Sequence, residues 1–214
     1  MIINLSFYAQ TNLSKTNTPS RQCHSPVYNE SYHDYEKWMD GVLKKQAQFE
    51  NSKQISTVYT IPVVFHIIHS GQAVGTGFNI SQAQVNSQIT ILNQAFRKTN
   101  TDVSTYVTQP GLASLAADCE INFCPATIDP SGVLLSEPGI DRILASSKGW
   151  TNPGYADSYI ESTIKPNSYW DPTKYCNIWI LNFNNNFELG YAQFPTLPSA
   201  STPTIGDLNG SGLD

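Results

Sequence analysis

The sequence predicts an α/β fold, and two adjacent segments carry that prediction. The first, from Ile61 to Ile68, is an apolar run rich in β-branched residues, which is typical of a strand covered on both faces of a sheet. The second has apolar residues at spacings of four, three and four, the pattern of a helix that faces a core. These residues are Val85, Ile89, Leu92 and Phe96. Strand, loop and helix follow one another directly.

The remaining elements follow in chain order. Asn79, Ser81 or both offer an N-cap oxygen, so we expect the helix to span 81–96. A loop over 98–118 then leads to a strand at 120–125 and a tight turn at DPSG. Prolines and glycines between 145 and 173 exclude a long helix there, although ADSYIESTIK favours a short one. A buried strand at 176–183, a short edge strand in LGYAQFP and a Ser/Thr/Pro/Gly-rich loop complete the chain.

The segment before the first strand divides into three parts. Residues 1–20 are polar apart from a short apolar start, and the sequence assigns them to a signal-peptide remnant or a disordered terminus. Residues 21–58 are expected to precede the folded domain, which begins at 59 and runs to 214. Within this preceding segment, an amphipathic helix is predicted over 31–50 because apolar residues recur there at helical spacing. They are Tyr35, Trp38, Met39, Val42 and Leu43.

Composition and charge exclude two classes of partner. The 214 residues carry a net charge of −5 with only 12 Lys and Arg and no basic block, so nucleic-acid binding is not expected. No apolar run approaches the roughly 20 residues that span a bilayer, so no membrane segment is expected either. Low charge density together with abundant Asn, Ser, Thr and Tyr favours a secreted protein.

Five segments, in their order along the chain, carry a family resemblance. IPVVFHIIH, INFCPATIDPSG, GIDRI, KYCNIWILNF and LGYAQFP span about Ile61 to Pro195. Together they resemble the pappalysin (M43) family of zinc metallopeptidases, a branch of the metzincins. The resemblance implies a twisted mixed sheet with the helix at 81–96 packed on one face, as in the upper half of a metzincin catalytic domain. It also implies that zinc is the cofactor and that proteins or peptides are the substrates.

The catalytic motif of that family is absent from this sequence. The family reads HExxHxxGxxH on its zinc helix, whereas the histidines of this chain are His24, His33, His66 and His69, and none is followed by Glu. No catalytic residue is therefore assigned, and the chain alone is expected to be inactive. The resemblance implies that 21–58 is a pro-segment and that 59–214 is part of a metallopeptidase catalytic domain, together the N-terminal part of a secreted zinc metalloendopeptidase. The alternative is a catalytically dead module that binds or inhibits through a peptide-binding edge.

The resemblance also identifies a candidate substrate-binding strand. The segment matches the family's edge strand above the active-site cleft, where a peptide can add itself as one more strand. The residues are Leu189, Gly190, Tyr191, Ala192 and Gln193. A plain edge strand is the alternative.

Cys23 is a candidate metal ligand of a latent state. It lies upstream of the domain, and related metzincin zymogens use a pro-segment thiolate to occupy the zinc and keep the enzyme latent. The family phrase places Gly after this cysteine, where the present chain has His24. A disulfide partner and an inert thiol are the alternatives.

The other metal and cysteine signals are weaker. His66 and His69 lie three apart on a strand and face opposite sides of it, so a shared metal site is not expected and a structural role is. Asp207, Asn209 and Ser211 resemble half of a calcium loop, which leaves calcium open as a second ion.

Four cysteines permit three full disulfide pairings. Cys119 and Cys176 form the best candidate pair, whereas Cys124 is expected to be a buried thiol. In the metzincin sheet the strands of the candidate pair lie on either side of the first strand. This arrangement argues against the pair, because a disulfide requires a Cα separation below ~7 Å.

Overall fold

The sheet is organised by one long strand of eleven residues, Tyr59–His69. The computed structural model describes residues 22–24, 37–38, 40–41, 44, 58–103, 116–150, 154–184 and 188–192. Its strands are β1 (Gln22–His24), β2 (Tyr59–His69), β3 (Ile121–Pro125), β4 (Ile140–Leu144), β5 (Cys176–Ile180) and β6 (Glu188–Tyr191), and its principal helix is α1 (Gln82–Phe96).

Strand β2 pairs with three other strands, and all of these pairs are parallel. The first half of β2 pairs with β3, its second half with β4 and its middle with β5. Gly139 joins β3 to β4: its N–H donates to Ala126 and its carbonyl accepts from Phe65. The φ of Gly139 is 76°, and a Cβ atom there would lie 2.9 Å from Pro125 Cβ, so this position requires glycine. The predicted α/β fold is confirmed.

Helix α1 covers one face of the sheet. Its N-cap is Ser81, which forms a capping box with Gln84, so one of the two proposed caps is confirmed. Asn93 of α1 also bonds both backbone groups of Phe123 on β3, accepting from its N–H at 2.6 Å and donating to its carbonyl at 2.9 Å. The core on this face is aliphatic apart from one phenylalanine: Val63, Phe65, Ile67, Val85, Ile89, Ile140, Ile178 and Ile180.

The opposite face of β2 is covered by the chain between β4 and β5. This segment contains the predicted short helix, which consists of an α-helical turn (Asp157–Tyr159), a π-helical turn (Ile160–Ile164) and a 3-10 turn (Lys165–Asn167). We call residues 157–167 the covering helix. Ile160 and Ile164 are fully buried against Ile68, together with the rings of Trp150 and Tyr155.

The N-terminal region is described at only a few residues. Lys37, Trp38, Asp40, Gly41 and Lys44 are all helical, in agreement with the predicted helix over 31–50. Lys44 and Asp40 form an exposed ion pair at 3.3 Å, one helical turn apart. Strand β1 pairs with β6 in a separate two-stranded sheet. Within the described parts of the chain, no helix has the length and apolar character needed to cross a membrane.

Candidate functional site

The candidate substrate-binding strand is β6, and β1 lies beside it. The two strands are parallel, with Gln22 opposite Glu188, His24 opposite Tyr191 and an irregularity between these pairs. Cys23 is therefore on the strand that pairs with the proposed substrate-binding edge. Gln193, the last residue proposed for that edge, lies outside the described residues.

The residues of β6 differ in their surroundings. Leu189 is 46% exposed, whereas Gly190, Tyr191 and Ala192 are half-buried. A Cβ atom at Gly190 would meet nothing within 4 Å, so this position does not require glycine for space. Leu189 thus offers an accessible side chain, whereas Tyr191 packs against the domain.

Tyr191 is held by an ion pair on the covering helix. Its hydroxyl donates to Glu161 Oε1 at 2.5 Å, and Lys165 Nζ lies 4.9 Å from the centre of its ring. Lys165 Nζ also lies 2.8 Å from Glu161 Oε1 and 5.3 Å from the centre of the Trp179 ring. Trp179 donates its indole N–H to Ser168 Oγ at 2.9 Å. These contacts connect β6 to the covering helix and to β5.

A second polar cluster surrounds His66 in the middle of β2. The side chain is fully buried, and its Nδ1 lies 2.9 Å from Asp141 Oδ2 on β4 while its Nε2 lies 2.8 Å from Asn177 Oδ1 on β5. The imidazole stacks on Trp179 with ring centres 5.1 Å apart and meets Trp170 edge-on at 5.9 Å. One side chain thus ties three neighbouring strands together.

The hydrogen bonds of Asn177 place a proton on His66 Nε2. Asn177 Oδ1 accepts from the Trp170 N–H, and its Nδ2 donates to the Trp170 carbonyl, so the amide cannot be flipped. His66 Nε2 must therefore carry a proton and donate to Oδ1. The remaining contact needs one proton between His66 Nδ1 and Asp141 Oδ2, since both atoms would otherwise be acceptors. The predicted structural role of His66 agrees with this network.

The described residues do not fit a zinc ion. No group of three or more His, Cys, Asp or Glu side chains among them is arranged to hold a metal. Both ring nitrogens of His66 are already engaged. His69 Nδ1 accepts from the Gly71 N–H at 3.2 Å, and partial burial, followed by the nearby Arg142 charge, lowers the pKa of His69. The half calcium loop at 207–211 lies outside the described residues.

The proposed disulfide between Cys119 and Cys176 is wrong. The Cys119 thiol is free and exposed, and that of Cys124 is free with a pKa raised by burial. Cys176 lies opposite Val63, whereas Cys119 precedes Ile121, the partner of Tyr59. The two cysteines are therefore offset along β2 by about six residues, or roughly 20 Å at the rise of a strand, which exceeds the reach of a disulfide.

Sequence reasoning missed most of the polar contacts. Asp141 lies in the segment GIDRI and Asn177 in the segment CNIWI. Each is a polar residue inside an apolar strand, and this was the sequence signal for a buried polar contact. Glu161 and Lys165 are four residues apart in ESTIK, which indicates an ion pair on a helix but not its partner on β6. No sequence signal predicted that β1 would pair with β6.

Comparison with known proteins identifies structural relatives. No family model matches this sequence, and neither does a curated protein. A structure of mirolysin in complex with a compound is 33% identical, with a TM-score of 0.52, over 65% of this chain and 47% of that one. Mature mirolysin of Tannerella forsythia in complex with a cleaved peptide is 30% identical, with the same TM-score and coverage. A promirolysin mutant of Tannerella forsythia is 27% identical, with a TM-score of 0.56, over 82% of this chain and 55% of that one.

These matches confirm the metzincin-like α/β fold and support a metallopeptidase-like architecture for the chain. The chain spans about half the length of the structures that it matches.

Proposed function

We propose that this chain is the pro-segment and N-terminal subdomain of a secreted zinc metalloendopeptidase of pappalysin type. The observation that carries the proposal is the pairing of β1 with β6 in a chain that is similar to a promirolysin. A strand from the proposed pro-segment occupies one backbone edge of the proposed substrate strand. Such an arrangement would keep substrates from the edge that would otherwise bind them.

The coverage of the structural matches supports a pro-segment at 21–58. The promirolysin covers 82% of this chain and the mature mirolysin 65%. The difference between these two shares is close in length to the segment 21–58. We therefore assign 59–214 to a partial catalytic domain and 21–58 to the segment that precedes it.

The substrate role of β6 rests on the main-chain chemistry of an edge strand. In the intact enzyme, Leu189, Gly190, Tyr191, Ala192 and Gln193 would hold an extended peptide by backbone hydrogen bonds once β1 has left. The structure of mature mirolysin contains a cleaved peptide, which supports a protein or peptide substrate for a related chain. The accessible Leu189 side chain would contact that peptide.

The zinc ligands of the proposed enzyme would be those of an HExxHxxGxxH motif, which the 214 residues do not contain. In such an enzyme a bound zinc ion would supply Lewis-acid chemistry for peptide hydrolysis. Among the residues of this chain, Cys23 is the candidate ligand in the latent state, because a thiolate is a strong zinc ligand and the backbone of Cys23 lies on β1 beside β6.

The gene sequence and the extended protein test the proposal. We expect the reading frame beyond Asp214 to encode HExxHxxGxxH and the extended protein to retain zinc after dialysis. It should cleave a peptide substrate only after its pro-segment is removed. Cys23→Ala should raise the activity of the uncleaved form at least tenfold, with Cys119→Ala as the matched control. A downstream sequence without the motif would overturn the enzyme proposal and favour the catalytically dead peptide-binding module.

A further inference from the structure

Strand β6 depends on side-chain contacts for its position. Among the described residues its backbone pairs with β1 and not with the four-stranded sheet. Tyr191 links the strand to the body of the domain: its hydroxyl and ring both meet the ion pair of Glu161 and Lys165, and its ring centre lies 5.9 Å from that of Phe183. One carboxylate oxygen, Glu161 Oε1, receives both the tyrosine hydroxyl and the lysine ammonium.

The lysine of this pair lies in an unusual place for a charge. Lys165 is only 6% exposed, and its ammonium faces the rings of Trp179 and Tyr191. Burying a charge is costly, and an apolar side chain of similar volume often stabilises a fold at least as well as a buried ion pair. What the ion pair adds is direction, because a hydroxyl donor and an ammonium must meet one oxygen at defined angles. The contact is therefore suited to fixing where Tyr191 lies.

The contact also reaches the centre of the sheet. The Trp179 ring that faces Lys165 is the ring on which His66 stacks, and His66 is bound to β4 and β5. These contacts thereby connect Tyr191 to the buried centre of the sheet. The π-helical turn that carries Glu161 is a local irregularity of a kind that is frequent at functional sites.

We infer that Glu161 and Lys165 are positioning residues that hold β6 in place for the strand that pairs with it, whether that strand is β1 or a substrate peptide. The inference rests on the proposed function only in identifying β6 as the substrate strand. Both residues lie on the covering helix and not on β6. Each acts through Tyr191, which fixes the line of the β6 backbone and hence the spacing of its N–H and carbonyl groups.

A site-resolved hydrogen-exchange experiment on the full 214-residue chain tests this inference. Amide exchange is measured at Cys23, Gly190 and Tyr191, with Val64 and Ile67 of β2 as the reference. Glu161→Gln keeps the shape of the side chain but removes its charge. We expect exchange to become about tenfold faster at the β1 and β6 amides and to stay within twofold at the β2 amides, as for local opening of a strand.

Three further variants separate positioning from general stability. Tyr191→Phe removes only the hydroxyl and should reproduce part of the effect in a chain that folds normally. Lys165→Met removes the other charge of the buried pair. Its control is Lys174→Met, which should change no exchange rate because Lys174 forms an exposed ion pair with Asp171. Unchanged exchange in β1 and β6 for both Glu161→Gln and Tyr191→Phe would overturn the inference, and so would an equal increase at β2, which would indicate a merely structural pair.

The same variants in the extended protein distinguish this inference from the proposed function. Exchange does not require peptidase activity, so the positioning role can be tested even if the chain belongs to no enzyme. If the extended protein is active, Glu161→Gln should raise KM for a peptide about tenfold and leave kcat within about twofold. A lower kcat with an unchanged KM would contradict a role in holding the substrate strand.

Discussion

Phe65 and His66 are neighbours on β2, and both are buried, with exposures of 1% and 0%. They face opposite sides of the sheet and meet different chemistry. Phe65 packs among aliphatic side chains under α1, whereas His66 forms two hydrogen bonds between two tryptophan rings. Two side chains that are equally buried are therefore held in different ways: Phe65 by non-directional packing and His66 by directional hydrogen bonds.

The difference determines what each face specifies. Aliphatic packing depends on buried volume and tolerates exchanges between apolar side chains of similar size. The His66 contacts run to Asp141 on β4 and Asn177 on β5, so they are satisfied in one register only. We expect the α1 face to supply most of the stability and the His66 face to fix the register of the three strands.

The largest expected effect is on the aliphatic face. Phe65→Ala removes a buried ring from a core that cannot fully collapse around the cavity, so it should lower the free energy of unfolding by about 3–5 kcal/mol. Urea unfolding followed by circular dichroism measures this change. Phe65→Leu is the control and should recover more than half of the loss. Equal losses for Ala and Leu would show that ring-specific contacts, and not buried volume, hold this face.

The two faces also differ in how far the sequence predicts them. The β2 run and the α1 stripe predict the aliphatic core because burial on that face repeats with the periods of strand and helix. The His66 network could not be predicted in the same way, because its partners are separated by 75 and 111 residues and depend on strand order. The pairing of β1 with β6 was missed for the same reason. The disulfide prediction failed because the positions of Cys119 and Cys176 along β2 depend on strand register, which the sequence does not show directly.

The second prediction concerns the His66 face. Asp141→Leu leaves His66 Nδ1 buried beside an apolar side chain, and an unsatisfied buried polar atom costs about 1–3 kcal/mol. Asp141→Asn is the matched control, because its amide can donate to Nδ1 and should cost less than about 1 kcal/mol. Urea unfolding at neutral pH measures both variants. If Asn destabilises the protein as much as Leu does, the carboxylate itself is required and the hydrogen-bond account of this face is wrong.

The smallest expected effect lies at the rim of the α1 face, where a polar contact is added to the aliphatic core. Arg142 on β4 binds Glu137 through two hydrogen bonds of 2.5 and 2.7 Å and donates to Asn79 and to the Ile80 carbonyl before α1. Hydrogen bonding by Arg142 holds the pKa of Glu137 below its ordinary value of 4.5, even though partial burial acts in the opposite direction.

Because the pKa of Glu137 is lowered by folding, its contribution to stability is present above pH 4.5 and is lost as the pH falls through the lowered value. The Glu137 side chain is 34% exposed, so solvent screening limits this contribution to about 0.5–1 kcal/mol. Glu137→Gln should therefore destabilise the protein by that amount at pH 7, and the difference from the parent should shrink as the pH falls below 4.5. Thermal unfolding of both proteins between about pH 3 and about pH 7 measures this difference in stability. A difference that stays constant over this range would show that Glu137 acts by packing on the rim and that the electrostatic contact contributes nothing to the α1 face.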